Sequence, residues 1–89
     1  MNEVYIVIRD FRFEKVDAKE LHIEKVCKSE DDAKKCVAEL AEVAEAEALK
    51  IFDIDDLEID KSADSYSVYK NYEYDSYHED IWYVKKPLE

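Results

Sequence analysis

The sequence predicts an α+β fold in which one main helix packs on an antiparallel sheet of about four strands, in the order ββαββ. Two runs of alternating β-branched and aromatic residues come before a single amphipathic segment, and two more such runs follow it. With 89 residues, the chain is expected to form a single domain over residues 1–89. At 47% hydrophobic residues it is apolar enough to fold rather than remain a disordered acidic chain.

The first two strands are predicted over residues 4–13 and 20–27. In the first, nearly every position up to Ile8 is apolar, which is typical of a central strand. In the second, Leu21 and Ile23 alternate with polar residues. The short polar connection between the two runs predicts that they form a hairpin.

A helix is predicted to begin after Ser29. The Ser29 hydroxyl can cap a free backbone N–H, and the three acidic residues that follow suit the positive end of the helix dipole. Mostly small apolar residues then recur with helical spacing, which would let the helix lie close to the sheet. This stripe consists of Ala33, Cys36, Val37, Leu40, Ala41, Ala44 and Ala48.

After the helix the pattern is less uniform. Residues 51–60 fit both a strand and a short helical turn, and neither period is favoured. Alternation returns over residues 65–73 and 81–86, and residues 75–78 are predicted to be the hairpin loop between them. Because the chain has no glycine and a single proline, Pro87, we expect a few long elements joined by open loops.

The main indication of function is the charge between residues 53 and 80. This segment contains ten carboxylates and only two lysines, a formal charge of −8 out of −11 for the whole chain. Five tyrosines are interleaved with the carboxylates. A surface of this charge repels nucleic acid and attracts proteins that bind nucleic acid.

We therefore predict that the segment binds a partner protein by filling its cationic nucleic-acid-binding site with carboxylates. Exposed tyrosines would add area that stacks on guanidinium groups. The alternative is that the tyrosines are half-buried sheet residues and that the charge only keeps the domain soluble. The candidate partner-binding residues are Asp53, Asp55, Asp56, Glu58, Asp60, Asp64, Tyr69, Tyr72, Glu73, Asp75, Tyr77, Glu79 and Asp80.

The sequence does not indicate an enzyme, a cofactor or a metal site. Residues 53–64 lack the glycine and the final glutamate of a calcium loop. The spacing of His22, His78, Cys27 and Cys36 does not match a compact zinc site, and the two cysteines are expected to be buried, reduced thiols. The neighbouring carboxylates are not accompanied by a glycine-rich loop or an oxyanion device. We expect a non-enzymatic protein without a cofactor.

The chain is expected to be intracellular and cytoplasmic. No apolar run approaches the roughly 20 residues needed to cross a bilayer. The start, Met1-Asn2-Glu3, lacks the basic and apolar regions of a signal peptide.

Three segments resemble the small ββαββ proteins often encoded by phages and mobile elements: VYIVI at residues 4–8, VCKSEDDA at residues 26–33 and IWYV at residues 81–84. In size and charge the chain is also similar to acidic anti-CRISPR inhibitors that mimic nucleic acid. The resemblance implies a phage-encoded inhibitor that acts in the host cytoplasm on a host nucleic-acid-binding protein such as a CRISPR effector. It assigns no residue roles, and the acidic residues 53–64 and the tyrosine-rich hairpin depart from the pattern.

A second hypothesis is a structural or regulatory phage protein that self-associates through the tyrosine-bearing sheet. It predicts a homodimer whose stability depends on Tyr69, Tyr72 and Trp82 and hardly responds to salt.

Overall fold

The computed structural model describes residues 3–62, 64–70 and 76–87 and shows one long helix packed on a five-stranded antiparallel sheet. The strand order is β2-β1-β5-β4-β3. The elements are β1 (Glu3–Phe13), β2 (Ala18–Cys27), α1 (Glu30–Ile51), β3 (Glu58–Lys61), β4 (Ser65–Lys70) and β5 (Tyr77–Pro87), with 3-10 turns at Glu14–Val16 and Ile54–Asp56. The predicted α+β class is confirmed, but the sheet has five strands in the order ββαβββ rather than four.

The first hairpin and the central position of β1 are confirmed. β1 pairs with β2 on one side and with β5 on the other, both antiparallel. The chain turns between β1 and β2 through Asp17, whose φ of 53° is left-handed, a conformation that aspartate tolerates better than most residues. The pairing with β2 shifts register between Val7 and Ile8, which marks a β-bulge.

The later strands differ from the sequence prediction. β5 begins at Tyr77 rather than at residue 81, so Tyr77 and His78 belong to a strand and not to a hairpin loop. They pair with Phe13 and Arg12, because β1 is long enough to extend the pairing to this point. The polar sequence of residues 75–78 does not reveal this pairing with a distant strand. The ambiguous residues 51–60 contain the end of α1, a 3-10 turn and the start of β3, so each interpretation holds for part of the segment.

The core lies between α1 and one face of the sheet. The predicted apolar stripe of α1 is buried at Ala33, Val37, Ala41, Ala44 and Ala48. Four of these five residues are alanines, so the helix backbone can approach the sheet closely. The sheet contributes its buried residues from alternate positions, including Val7, Val68 and Ile81, none of which has exposed surface.

The N-terminus of α1 gives a first test of the local interactions. The Ser29 Oγ accepts a hydrogen bond from the Asp32 backbone N–H at 3.1 Å. Ser29→Ala is expected to lower the free energy of unfolding by about 1 kcal/mol, because that N–H loses its partner. Ser29→Asp keeps an acceptor and serves as the control in urea unfolding. An alanine variant that unfolds at the wild-type midpoint would show that the cap does not contribute.

Candidate functional site

Six exposed carboxylates follow the outer side of the sheet. They come from the residue before the second 3-10 turn, the turn itself, β3, and the turn into β4. We call them the acidic edge: Asp53, Asp55, Asp56, Glu58, Asp60 and Asp64. The structure therefore brings the first six of the predicted partner-binding residues together on one solvent-facing border of the molecule.

Alternation along the chain holds the acidic edge in place. Leu57 is buried, and Ile59 packs against the core. The intervening Glu58 and Asp60 lie opposite Tyr69 and Ser67 of β4, so their side chains share the face of the sheet away from α1. Two residues apart on one strand, they are about 6.6–6.8 Å apart, a spacing comparable to that of successive phosphates along a nucleic-acid strand.

The two lysines nearest to the acidic edge are held on its inner side. Lys61 Nζ lies 3.3 Å from Glu45 Oε2 on α1. Lys70 is only 7% exposed; its Nζ lies 3.7 Å from Asp56 Oδ2 and 4.4 Å from the centre of the Phe52 ring. Lys61 is therefore engaged with α1, and Lys70 compensates one member of the acidic edge, Asp56, from the inner side. The other five exposed carboxylates dominate the outer side.

Tyr69 lies beside the acidic edge. It is half-buried and lies directly opposite Glu58, whose carboxylate raises the pKa of the Tyr69 hydroxyl. Its ring centre lies 5.7 Å from that of His78 on β5. Tyr69 therefore places a half-buried aromatic ring beside an exposed carboxylate. Its role in partner binding stays a prediction from the sequence.

Asp80 is also half-buried and belongs to the same sheet face as Asp60. Both lie opposite Ser67, one on each side of β4. Asp80 accepts a hydrogen bond from the Ser67 hydroxyl, and its Oδ2 lies 2.8 Å from His78 Nε2. Its carboxylate is therefore engaged within the fold and is less available to a partner than those of the acidic edge.

Tyr77 and Glu79 are wrongly predicted as surface residues. Tyr77 is 2% and Glu79 1% exposed, because odd-numbered positions of β5 face α1. The Tyr77 ring makes edge contacts with Phe13 and Phe52, with ring centres 5.1 and 5.2 Å apart. Neither residue is available to a partner in this fold.

Glu79 is a structural charge beneath the helix. Its Oε1 lies 3.4 Å from Arg9 Nε, and the same nitrogen lies 3.5 Å from Glu24 Oε1. Burial raises the pKa of Glu79, while the Arg9 guanidinium opposes that rise. Burial also raises the pKa of Tyr77 to about 12, and the adjacent Glu79 charge adds to this effect.

Three candidate residues, Tyr72, Glu73 and Asp75, lie outside the described residues. Their role in partner binding remains a prediction from the sequence.

Two acidic residues of α1 are missing from the sequence prediction. Glu42 and Glu45 line a groove of about 240 Å³ between α1 and the start of β4, together with Lys61 and Tyr66. Glu42 is exposed and adds negative charge beside β3, whereas the charge of Glu45 is paired with Lys61. Their location could have been predicted from the helical spacing. Both residues directly follow buried alanines of the stripe, Ala41 and Ala44, and so flank the side of α1 that meets the sheet.

Cys27 and Cys36 are both free thiols. Cys27 is buried, as predicted, whereas Cys36 is only half-buried, and this partial burial raises the pKa of its thiol. The described residues contain no group of three or more histidine, cysteine, aspartate or glutamate side chains arranged to hold a metal ion. In the same part of the chain, no helix has the length and apolar character required to cross a bilayer.

Comparison with known proteins adds no family. No protein-family model matches the chain, and neither a curated protein nor a solved structure is similar enough to count as a match.

Proposed function

We propose that this protein is a non-enzymatic inhibitor that occupies the cationic nucleic-acid-binding site of a host protein. The observation that supports the proposal is the acidic edge, where six carboxylates are exposed along one border of the sheet, while Lys61 contacts α1 and the buried Lys70 pairs with one of the six, Asp56. The proposed host protein is one that binds DNA or RNA, such as a CRISPR effector in the host cytoplasm, and the chain itself is proposed to be phage-encoded.

The physical basis is charge complementarity. A nucleic-acid-binding site presents lysine and arginine side chains already arranged to receive anions. Carboxylates held on a strand and adjoining turns can enter such a site at a spacing set by the backbone. Since the whole chain carries a formal charge of −11, it is expected to be repelled by nucleic acid and to compete with it for the partner.

Tyr69 is proposed to supply part of the affinity that does not depend on salt. It lies opposite Glu58, and its half-buried ring is proposed to stack on a guanidinium group of the partner. The proposal therefore includes a charged component, which weakens as salt rises, and an aromatic component, which does not.

Affinity capture tests the proposal. The protein is immobilised and exposed to bacterial lysate at low salt, and bound proteins are eluted with NaCl between about 50 mM and about 500 mM and identified by mass spectrometry. The expected result is a nucleic-acid-binding protein that elutes as salt rises. Recovery of the bait alone, with lysates from several host species, would count against the proposal.

A further inference from the structure

The face of the sheet away from α1 carries a second set of apolar side chains. Pairing register places Ile6 beside Val26 and Val84, and Ile8 beside Ile23 and Trp82. Side chains of directly opposite residues share one face of a sheet. We call this set the open-face patch: Val4, Ile6, Ile8, Leu21, Ile23, Val26, Trp82 and Val84.

The open-face patch is separate from the core. None of its members belongs to the buried cluster under α1 or to the residues packed against that cluster. Leu21, Ile23 and Val26 are 70%, 69% and 57% exposed, and the other members are half-buried among their neighbours in the sheet. A continuous apolar surface spanning three strands is more than the scattered exposure usual for a monomer, and it marks a contact surface.

Edge pairing does not account for this exposure. β2 is an edge strand, but it is interrupted by the bulge opposite Val7 and Ile8 and carries Glu20, Glu24 and Lys25 among its exposed residues. Charged side chains and bulges are features that prevent an edge strand from pairing with another chain. The apolar residues therefore indicate contact through the face of the sheet rather than through its edge.

The charges around the open-face patch permit contact with a second copy of this chain. The register places Lys19, Arg12 and Lys86 on this face, together with Asp10 and Asp80. Arg12 contacts Asp10 at 3.5 Å, and His78 contacts Asp80 at 2.8 Å. This region is therefore close to neutral although the whole chain carries −11, so two copies repel each other least when they meet here.

We propose that the protein forms a two-fold symmetric homodimer through the open-face patch. An isologous contact needs one self-complementary surface, and the patch is arranged about β1, with apolar residues of β2 on one side and of β5 on the other. A two-fold axis along β1 lays Ile23 over Trp82 of the second copy and Lys19 over its His78, the residue that contacts Asp80. The strands β4 and β3 extend beyond the overlap, so both acidic edges stay free.

The size of the contact predicts a dimer of moderate affinity. Three strands about 4.8 Å apart and about ten residues long give a projected area of roughly 450 Å² per copy. Because side chains project from the sheet, the accessible surface that each copy buries is larger than this projected area. It approaches the lower end of the range for specific interfaces, which typically bury about 800 Å² per partner. We expect a dissociation constant in the micromolar range, of order 1–100 μM.

Sedimentation equilibrium over a range of protein concentrations tests the dimer, with Trp82 fluorescence as a second readout. Trp82 is the only tryptophan, and its emission is expected to shift to the blue as the dimer forms. The dimer is expected to persist or strengthen between about 50 mM and about 500 mM NaCl, because salt screens the repulsion between two acidic chains. This salt response is opposite to that of the proposed partner, so either proposal can fail without the other.

The double variant Leu21→Lys/Ile23→Lys is expected to weaken the dimer by roughly 100-fold or more, even though it lowers the negative charge. The control, Val43→Lys/Leu49→Lys, changes the charge equally at two exposed apolar residues of α1 and should dimerise like the wild type. Melting curves establish that each variant is folded.

Trp82→Phe is the second variant of the open-face patch, for use if the lysine variant does not fold, and its dimerisation is measured by sedimentation alone. A wild type that stays monomeric to about 1 mM, or patch variants that dimerise as tightly as the wild type, overturns the proposal.

Discussion

Neutralising four carboxylates of the acidic edge is expected to weaken binding of the captured nucleic-acid-binding protein by roughly 100-fold at physiological salt. The variant is Asp53→Asn/Asp55→Asn/Glu58→Gln/Asp60→Asn. It leaves Asp56, which contacts Lys70, in place, and Glu58→Gln keeps a polar side chain of the same length opposite Tyr69. Titration calorimetry with the purified partner measures the loss, and the slope of affinity against salt should become shallower.

A matched control separates the position of the charges from their number. Four exposed acidic residues outside the acidic edge are neutralised in Glu14→Gln/Asp17→Asn/Glu20→Gln/Glu39→Gln. This variant has the same net charge as the first, but its affinity is expected to fall by less than about 3-fold. Equal losses in both variants would show that general negative charge, and not the acidic edge, accounts for the binding.

Arg9→Met is expected to cause the largest loss of stability, about 3–5 kcal/mol at neutral pH. Arg9 is the cation that contacts buried Glu79, and its removal leaves that carboxylate in the core without a compensating charge. Urea unfolding measures the effect. Arg12→Met is the control in the same strand: Arg12 is 55% exposed and pairs with Asp10 at the surface, so its loss should cost no more than about 1 kcal/mol.

The double variant Arg9→Met/Glu79→Gln tests whether the loss comes from the buried charge. Because glutamine carries no charge to bury, the double variant should recover most of the stability lost in Arg9→Met. An equally unstable double variant, or an Arg9→Met protein as stable as the Arg12→Met control, would contradict this account of the core.

The pH dependence follows from the direction of the Glu79 shift. Burial raises the folded-state pKa of Glu79 above its ordinary value of 4.5, so the folded state binds the proton more readily than the unfolded state. The contribution of Glu79 to stability is therefore fully present below 4.5 and is lost as pH rises through the folded-state pKa. Arg9→Met removes the opposing charge. As pH falls from about 7 to about 5, Glu79 should bind its proton in the folded variant, and the stability of Arg9→Met should move closer to that of wild type. The difference should disappear when Glu79→Gln is present in both proteins.

The parts of the fold that were predictable from the sequence are those set by local periodicity. The strand run up to Ile8 and the capped helix after Ser29 depend on neighbours within a few residues, and both appear in the structure. β3 and the first half of β5 depend on pairing with distant strands. Glu79 shows this most clearly: a buried carboxylate interrupts the apolar alternation of β5, and the Arg9 that accompanies it comes from a strand far away in the sequence.

The same distinction applies to the candidate site. The exposure of Asp55 and Asp60 follows from the local density of charged residues. The burial of Tyr77 depends on β5 beginning at that residue, and the polar sequence around it does not indicate a strand there. The open-face patch was also not predicted, although the alternation of Leu21 and Ile23 was recognised. Which face of a strand the helix covers is decided by tertiary packing, and a single sequence does not contain that information in local form.

Competition for a shared site is the central claim, and fluorescence anisotropy with the purified partner tests it most directly. A labelled oligonucleotide is bound to the partner, and the wild-type protein is then added. We expect the anisotropy to fall to the value of the free oligonucleotide at stoichiometric amounts of wild type, while the variant with the neutralised acidic edge leaves it unchanged. An oligonucleotide that stays bound while the wild-type protein joins the complex would contradict nucleic-acid mimicry.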